Sequence, residues 1–268
     1  MGHSAEPTVS ALRATATAAA RVGGEELTAR LAQHREIAFK GGIDLVTDAD
    51  KASEARILAH LRAAYPEHAV LAEESGTGAG SAPYRWIIDP LDGTTNYAHG
   101  VPHYCVSVAV EGPQGVLAGA ILDPVRNELF TAGKGEGASL NDRPIRVTTA
   151  DDLGNALLAT GFPYDMWANP ERTLTLFDHF ACRARGMRRM GSAALDLAYV
   201  ACGRFDGFFE FKLKAWDVAA GMLLITEAGG TVTHLEGGKL DLANADVLAS
   251  NGKLHPEMLK VVKESLEG

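Results

Sequence analysis

The chain has 268 residues, of which 46% are hydrophobic, so it can bury a substantial core and is long for one simple domain. Its formal net charge of −9 argues against nonspecific binding to nucleic acid or to an anionic membrane, because either partner would require a basic face. The sequence lacks an apolar run of roughly 18 residues and a basic segment followed by an apolar one, so we expect neither a membrane span nor a signal peptide. Three scattered cysteines are too few for a disulfide framework or a zinc site and favour a reducing cytoplasm.

The first part of the chain mixes helical and strand patterns. In chain order, the pattern predicts a helix over residues 7–34 that is broken or kinked at Gly23 and Gly24, a loop over 39–50, a helix over 49–65, a strand over 69–72, a surface loop over 76–83, and an antiparallel meander with strands over 104–110, 115–123 and 128–132.

The second part alternates strands with helices. The predicted elements are a strand over 156–160, a helix over 171–183, a strand over 187–190, a helix over 192–202, a strand over 205–211 and a helix over 216–228. Such alternation is typical of an α/β layer. We therefore expect two tightly joined parts, an α+β part over residues 1–150 and an α/β part over 151–268.

The segment 86–97 reads Trp-Ile-Ile-Asp-Pro-Leu-Asp-Gly-Thr-Thr-Asn-Tyr, an apolar strand that runs into two aspartates and a turn that could start a helix. Two carboxylates on one tight turn repel each other unless a cation lies between them, and a hard divalent metal ion is the usual cation. Pro90 biases Asp89 toward an extended conformation, so the side chains of Asp89 and Asp92 and the carbonyl of Leu91 can converge.

Gly93 and Thr94 follow the second aspartate directly. A glycine lets the backbone approach a ligand closely, and the N–H groups of Gly93 and Thr94 could then donate to an anion. The alternative interpretation is an ordinary turn rich in aspartate and asparagine, in which Asp92 only caps the next helix.

The segment Asp89-Pro90-Leu91-Asp92-Gly93-Thr94-Thr95-Asn96 resembles the signature of the inositol monophosphatase family of Mg²⁺-dependent, lithium-sensitive phosphatases, and the resemblance spans about residues 35–230. The other matching motifs are Lys40, Asp44, Thr47 and Asp50, then Glu73-Glu74-Ser75-Gly76, and Trp216-Asp217-Val218-Ala219-Ala220-Gly221. The resemblance implies an α/β and α+β layered sandwich (αβαβα) of the inositol monophosphatase/fructose-1,6-bisphosphatase type. It also implies a site between the two parts and a homodimer built by residues 156–201.

The resemblance also implies a set of metal ligands. Glu73, Asp89 and the Leu91 carbonyl would hold a first Mg²⁺, and Asp89, Asp92 and Asp217 a second, with two or three ions per site. Four carboxylates carry a charge of −4, which two Mg²⁺ ions neutralise. Taken alone, Glu73 could be an exposed acid at a strand end, and Asp217 could merely favour the dipole of its helix.

The implied catalytic residues are Thr94, Asp50, Asp89 and Glu73. In resembling enzymes, the hydroxyl that matches Thr94 orients the attacking water together with the aspartate that matches Asp50. The alternative for Thr94 is a helix cap.

The implied substrate-binding residues are Leu91, Asp92, Gly93, Thr94, Gly191, Ser192, Ala193, Glu210 and Asp217. The segment Gly191-Ser192-Ala193 resembles one that meets substrate hydroxyls at a helix start, although by itself it reads as a common N-cap. Glu210 matches a position that hydrogen-bonds a sugar or inositol hydroxyl, and a salt bridge to Lys212 or Lys214 is the alternative.

The sequence therefore predicts a phosphatase for a small-molecule phosphate ester, in which metal-activated water attacks myo-inositol 1-phosphate or a related sugar or polyol phosphate. The segment Thr95-Asn96-Tyr97 favours this branch over relatives that act on 3′-phosphoadenosine phosphate. Fructose 1,6-bisphosphate and histidinol phosphate stay open as substrates, because ligands of metal and phosphate do not report on the leaving alcohol. A regulatory role, in which the protein binds RNA-processing or transcription factors, also stays open.

Overall fold

A computed structural model describes residues 6–31, 37–40 and 44–267, with side chains over 6–31 and 48–266. The elements in chain order are α1 (Val9–Leu31), β1 (Ile37–Lys40), β2 (Asp44–Thr47), α2 (Asp48–Ala64), β3 (Ala69–Ala72), β4 (Gly76–Gly78), β5 (Arg85–Asp92), α3 (Thr94–His99), β6 (Cys105–Gly112), β7 (Gly115–Asp123), β8 (Glu128–Gly133), β9 (Gly137–Leu140), β10 (Arg143–Pro144), a 3₁₀ turn (Leu153–Asn155), β11 (Leu157–Thr160), α4 (Pro170–Ala181), β12 (Gly186–Arg188), α5 (Ala193–Ala201), β13 (Gly207–Leu213), α6 (Ala215–Glu227), β14 (Thr231–His234), β15 (Ala245–Ser250) and α7 (His255–Glu267).

Two sheets form the frame of the molecule. The larger sheet has the strand order β10-β9-β8-β7-β6-β5-β3-β4, and the smaller one has the order β12-β11-β13-β15-β14. Because successive side chains of a strand point to opposite faces, each sheet contributes to two cores. Trp86 and Ile88 of β5 pack with α1 and α2, whereas Ile87 packs with α5 and α6 in the central core.

The smaller sheet repeats this pattern. Phe208 of β13 belongs to the central core, whereas Phe209 and Phe211 pack with α4 and α7 on the outer face. The order of layers is therefore helices α1 and α2, the larger sheet, helices α5 and α6, the smaller sheet, and helices α4 and α7. The expected αβαβα layering is confirmed, while the division into two parts near residue 150 stays a prediction.

The predicted interruption of the first helix at Gly23 and Gly24 is wrong, because α1 continues through both residues. A Cβ atom at Gly23 would lie 2.7 Å from Cδ1 of Ile57 on α2, and one at Gly24 would lie 2.6 Å from Cδ2 of Leu122 on β7. The two glycines let neighbouring elements approach the helix, and the packing compensates for their weak helix propensity.

Three other expectations about local structure need correction. The predicted loop over residues 39–50 contains the backbone of β1 and β2, which pair antiparallel, and α2 already begins at Asp48. The predicted surface loop over 76–83 begins with β4, which pairs with β3 at the sheet edge. The predicted elements end at residue 228, and the structure adds β14, β15 and α7, which complete the fold. Strand β15 is buried along its whole length and therefore lacks the usual alternation.

Among the helices in the described part of the chain, none combines the length and apolar composition needed to cross a bilayer.

Candidate functional site

Two parallel strands of the larger sheet bring the first acidic residues together. Strand β3 pairs with β5 so that Ala72 lies opposite Ile88, and the backbone N–H of Glu73 donates to the Ile88 carbonyl at 3.2 Å. Because parallel strands end at the same sheet edge, Glu73 and Asp89 emerge side by side. Glu73 is half-buried and lines a cleft of about 780 Å³.

A bulge then turns the end of β5 toward the same cleft. Asp89 pairs with Ser107 and Asp92 with Cys105, so two residues of β5 face one residue of β6. Pro90 stands in the bulge, where its missing N–H costs no ladder hydrogen bond.

Two hydrogen bonds hold the bulge in shape. The hydroxyl of Ser53 on α2 donates to the Pro90 carbonyl at 2.9 Å, and the Leu91 N–H donates to Oδ1 of Asp89 at 3.0 Å. The side chains of Asp89 and Asp92 therefore converge as the sequence predicts.

Helix α6 supplies a further carboxylate. Asp217 lies in the first turn of α6, and its carboxylate accepts a hydrogen bond from the backbone N–H of Lys214 at 2.7 Å. It therefore stabilises the start of the helix, as the alternative to a metal-binding role predicts. It also belongs to an acidic cluster, since oxygen atoms of Asp89, Asp92 and Asp217 all lie within 4.8 Å of one another. The helix-start interpretation of Asp217 is confirmed, and its role as a metal ligand stays a prediction with which this position is compatible.

Burial and mutual repulsion dominate the electrostatics of this cluster. Burial, followed by the charges of Glu73, Asp92 and Asp217, raises the pKa of Asp89 well above its usual range. Burial and the charge of Asp92 raise the pKa of Asp217 to about 8. A set of carboxylate oxygens that repel one another in a partly water-filled cleft is the donor set that a hard divalent cation prefers. The residues therefore fit Mg²⁺.

Asp92 is held by the start of α5. Its Oδ2 accepts the Ser192 hydroxyl at 2.6 Å and the Ala194 N–H at 2.8 Å, and these bonds oppose the rise that burial causes in its pKa. Ser192 occupies the N-cap position, but its hydroxyl makes no capping bond. Likewise, the N-cap of α3 is Gly93 and not Asp92. The alternative in which Asp92 caps α3 is therefore wrong, whereas Ser192 does stand at the N-cap of α5 and uses its hydroxyl to hold Asp92.

Two glycines with left-handed backbone conformations bring the segments of the site together. Gly93 has φ of 92°, and a Cβ there would lie 3.1 Å from the His103 carbonyl and 3.2 Å from that of Gly191, which has φ of 87°. The amide of Asn96 donates to the carbonyls of His103 at 2.8 Å and Met190 at 2.9 Å. This side chain ties α3 to the segment before α5.

Thr94 contacts both a buried aspartate and a backbone carbonyl. Its Oγ1 lies 3.2 Å from Oδ1 of Asp50 and 3.0 Å from the carbonyl of Leu91. Asp50 belongs to α2 and is buried. Because a hydroxyl has one proton, Thr94 donates to one of these acceptors at a time and retains its lone pairs for another donor.

Glu54 is a site residue that the sequence analysis missed. Its buried carboxylate accepts the N–H groups of Glu74 at 2.8 Å and Ser75 at 2.9 Å, and so orients the turn that carries Glu73. The sequence could have indicated this role, because Glu54 lies on the apolar face of α2, one turn before Leu58, and an acid seldom occupies such a face without a partner.

Glu210 lies on β13 and faces the cleft from the smaller sheet. It is buried, and burial raises the pKa of its carboxyl to about 8, with Arg189 opposing the rise and Asp92 adding to it. Its carboxylate packs directly against Gly161, where a Cβ atom would collide with it. The alternative of a salt bridge to Lys212 or Lys214 is wrong, since the described residues show no ion pair of Glu210 with either lysine and the Lys212 ammonium group donates to Asp165 instead.

Two further cleft residues, Asp196 and Arg189, were also missed. Asp196 lies within the apolar helix α5, and burial, followed by the charges of Glu210 and Asp92, raises its pKa well above the usual range while Arg189 opposes the rise. The sequence could have indicated Asp196 as a functional residue, because it is an acid inside a run of apolar helix residues.

The structure gathers most of the predicted site residues in one cleft, although their roles stay predictions. Those that line the cleft are Glu73, Asp89, Leu91, Asp92, Gly93, Thr94, Gly191, Ser192, Ala193, Glu210 and Asp217. Asp50 reaches the cleft through Thr94. The side chains of Lys40, Asp44 and Thr47 lie outside the described residues.

Comparison with known proteins points to one family over nearly the whole chain. A model of the inositol monophosphatase family matches residues 8–267. The chain is 46% identical to the Nus factor SuhB of Pseudomonas aeruginosa, with 85% of this chain and 86% of that protein covered. It is 44% identical to the inositol-1-monophosphatase of Synechocystis sp., with 91% and 85% covered.

A solved structure of an inositol monophosphatase from Anabaena (Nostoc) sp. superimposes with a TM-score of 0.87 at 42% identity and covers 96% of both chains. The predicted fold type is thereby confirmed. The family model and these relatives extend over nearly the whole sequence, and we conclude that the chain belongs to the inositol monophosphatase family.

Proposed function

We propose that this protein is a Mg²⁺-dependent phosphomonoesterase that hydrolyses myo-inositol 1-phosphate or a related sugar or polyol phosphate. The observation that carries the proposal is the cluster of Asp89, Asp92 and Asp217 at the wall of a cleft of about 780 Å³, with Glu73 beside it. Family membership supports phosphatase chemistry, and the mutual repulsion of these carboxylates supports a cationic ligand.

The proposed ligands follow from this cluster. Glu73, Asp89 and the Leu91 carbonyl would hold one Mg²⁺, and Asp89, Asp92 and Asp217 another. When bound, Mg²⁺ would neutralise the carboxylates, polarise the phosphate ester and acidify water. The protein itself keeps the ligands oriented, because Ser192 fixes Asp92 and Lys214 fixes Asp217.

The remaining residues would position the reacting groups. Thr94 accepts a hydrogen bond from the attacking water while its own proton points to Asp50, 3.2 Å away. Glu210, on the opposite wall of the cleft, hydrogen-bonds a hydroxyl of the leaving alcohol. Fructose 1,6-bisphosphate and histidinol phosphate stay alternative substrates within the same chemistry.

A second candidate function is regulatory. Relatives that are 43–47% identical to this chain carry the name Nus factor SuhB or putative Nus factor SuhB, which supports an interaction with a protein or nucleic-acid partner beside hydrolysis. The retained carboxylate cluster argues against a purely noncatalytic role, since a binding module has no need for it. Direct nucleic-acid binding is disfavoured by the net charge of −9.

The decisive experiment measures phosphate release from a panel of phosphomonoesters. Activity is expected to disappear with EDTA and to return with Mg²⁺, and Asp89→Asn should lower turnover by about 100-fold or more because both ions share this ligand. Asp123→Asn is the control, since Asp123 is buried outside the cleft. Near-normal turnover in EDTA would refute the metal mechanism.

We also propose a homodimer built by residues 156–201 and a cytoplasmic location, both from family resemblance. Exposed apolar side chains in this part of the chain, such as Tyr164, Trp167 and Leu174, support a protein contact. Light scattering should give twice the chain mass at micromolar concentration, and a strictly monomeric mass would contradict the assembly.

A further inference from the structure

Asp196 is a buried carboxyl group, and contacts among the described residues leave one of its oxygen atoms unexplained. It lies one turn after Ser192 on α5, is 1% exposed and lines the cleft. Within the described part of the chain, its Oδ1 has no hydrogen-bond partner. A buried polar atom without a partner costs free energy, and such atoms are rare in folded proteins unless a ligand or water pairs with them.

The position of Asp196 on its helix argues against a purely structural role. Every residue of α5 from Ala193 to Ala201 is buried, and all except Asp196 and Tyr199 are aliphatic. Leucine or alanine there would pack without the desolvation cost of a carboxyl group. The same helix start already holds Asp92 through Ser192 and Ala194, so α5 is a fixed part of the cleft wall.

The charged groups that act on Asp196 include Glu210, which we propose contacts the leaving alcohol. Glu210 from β13 and Asp92 from the end of β5 act on its carboxyl, and Arg189 acts from the segment before α5. Glu210, in turn, is influenced by Arg189 and Asp92. Asp196 and Glu210 are therefore two buried carboxyl groups that line the same cleft and interact through their charges, and Arg189 acts on both.

We propose that Asp196 hydrogen-bonds a hydroxyl of the leaving alcohol next to the hydroxyl that Glu210 contacts, so that the cleft selects phosphorylated polyols with at least two free hydroxyl groups. The inference rests on the proposed phosphomonoesterase function and narrows its substrate class. A carboxyl group accepts from a hydroxyl whether or not it carries a proton, so this role needs no particular charge state. An aryl phosphate offers no hydroxyl and leaves Asp196 unpaired.

The test compares two substrates on two variants. Asp196→Ala should raise KM for myo-inositol 1-phosphate by about 10-fold, because one buried hydrogen bond to the substrate is lost, and change KM for 4-nitrophenyl phosphate by less than about 2-fold. Asp196→Asn should recover most of the affinity, since an amide oxygen still accepts. Asp123→Asn serves as the matched control and should leave the ratio of the two KM values unchanged.

A binding measurement separates this inference from the proposed function. Calorimetric titration of myo-inositol 1-phosphate, with Ca²⁺ in place of Mg²⁺, should show the same loss for Asp196→Ala without any turnover. If the wild-type protein binds this compound but does not hydrolyse it, the phosphatase proposal fails, and the variant titrations still decide the role of Asp196. A wild-type protein that does not bind it at all overturns the polyol assignment.

Two results would overturn the role of Asp196 itself. Equal losses on both substrates would show that the carboxyl group only supports the cleft wall, and unchanged KM values would show that it contacts no substrate. Thermal melts followed by circular dichroism identify a misfolded Asp196→Ala protein. In that case Asp196→Asn and Asp196→Ser replace it. Asparagine should keep the KM for myo-inositol 1-phosphate near the wild-type value, whereas serine should raise it, because its hydroxyl is too short to reach the same substrate atom.

Discussion

Replacing Glu210 by glutamine should remove part of the pH dependence of stability in the metal-free protein. Burial raises the pKa of this carboxyl from 4.5 to about 8. The folded protein therefore keeps a proton that the unfolded chain releases above about pH 4.5. The stabilising contribution of Glu210 is complete below that pH and is lost as the pH rises through about 8, whereas glutamine has no proton to lose.

The size of the effect follows from proton linkage. Each pH unit changes the free energy of unfolding by about 1.4 kcal/mol for one full proton of difference, and the difference is smaller than one proton near each pKa, so the window from about pH 5 to pH 8 gives about 3.5 kcal/mol. At roughly 2–4 °C for each kcal/mol in a chain of this size, the melting temperature of Glu210→Gln should rise by about 7–14 °C relative to the wild type across the window.

Differential scanning calorimetry in EDTA at several pH values measures this difference directly. Subtracting the wild-type melting temperature from that of the variant removes the contributions of groups that titrate alike in both proteins, whereas Asp196 and Asp217, on which the charge of Glu210 acts, contribute to the difference together with Glu210. Asp178→Asn, at an exposed position on α4, is the control and should show no pH-dependent difference. A difference that stays constant between pH 5 and 8, or that falls with rising pH, would refute the assignment of a buried, protonated Glu210.

Three further predictions concern the arrangement of the site. In steady-state assays, Thr94→Ala and Asp50→Asn should each lower kcat by about 10- to 10,000-fold with Mg²⁺ affinity nearly intact. The double variant should have a kcat little below that of the worse single variant, and losses of kcat that multiply would exclude a shared role of the two residues. Ser192→Ala, which removes the 2.6 Å bond to Asp92, should weaken Mg²⁺ binding by about 10-fold in calorimetry, and unchanged affinity would contradict this positioning role. Gly161→Ala should displace the Glu210 carboxylate and raise KM for myo-inositol 1-phosphate more than KM for 4-nitrophenyl phosphate. If the variant and the wild type have the same KM for myo-inositol 1-phosphate, this prediction is wrong.

The sequence by itself determined the acidic residues of the site and the layers that carry them. Asp89, Asp92 and Asp217 occur in short motifs whose turn chemistry is local, so Pro90 and Gly93 constrain the backbone wherever the rest of the chain lies. Apolar runs bounded by turn residues predicted the central strands, which are buried on both faces and therefore show no alternation, and longer apolar segments predicted the central helices.

Only the tertiary structure decided how distant segments complete the site and the core. Glu54 orients the Glu73 turn, and Asp196 faces Glu210, but these pairs come from different elements, and no local pattern records which elements become neighbours. Gly23 and Gly24 show the same limit, because local propensity predicts a break, whereas Ile57 and Leu122 pack where their side chains would be. Helix propensity disfavours glycine by only about 1 kcal/mol per residue, so tertiary packing can override it.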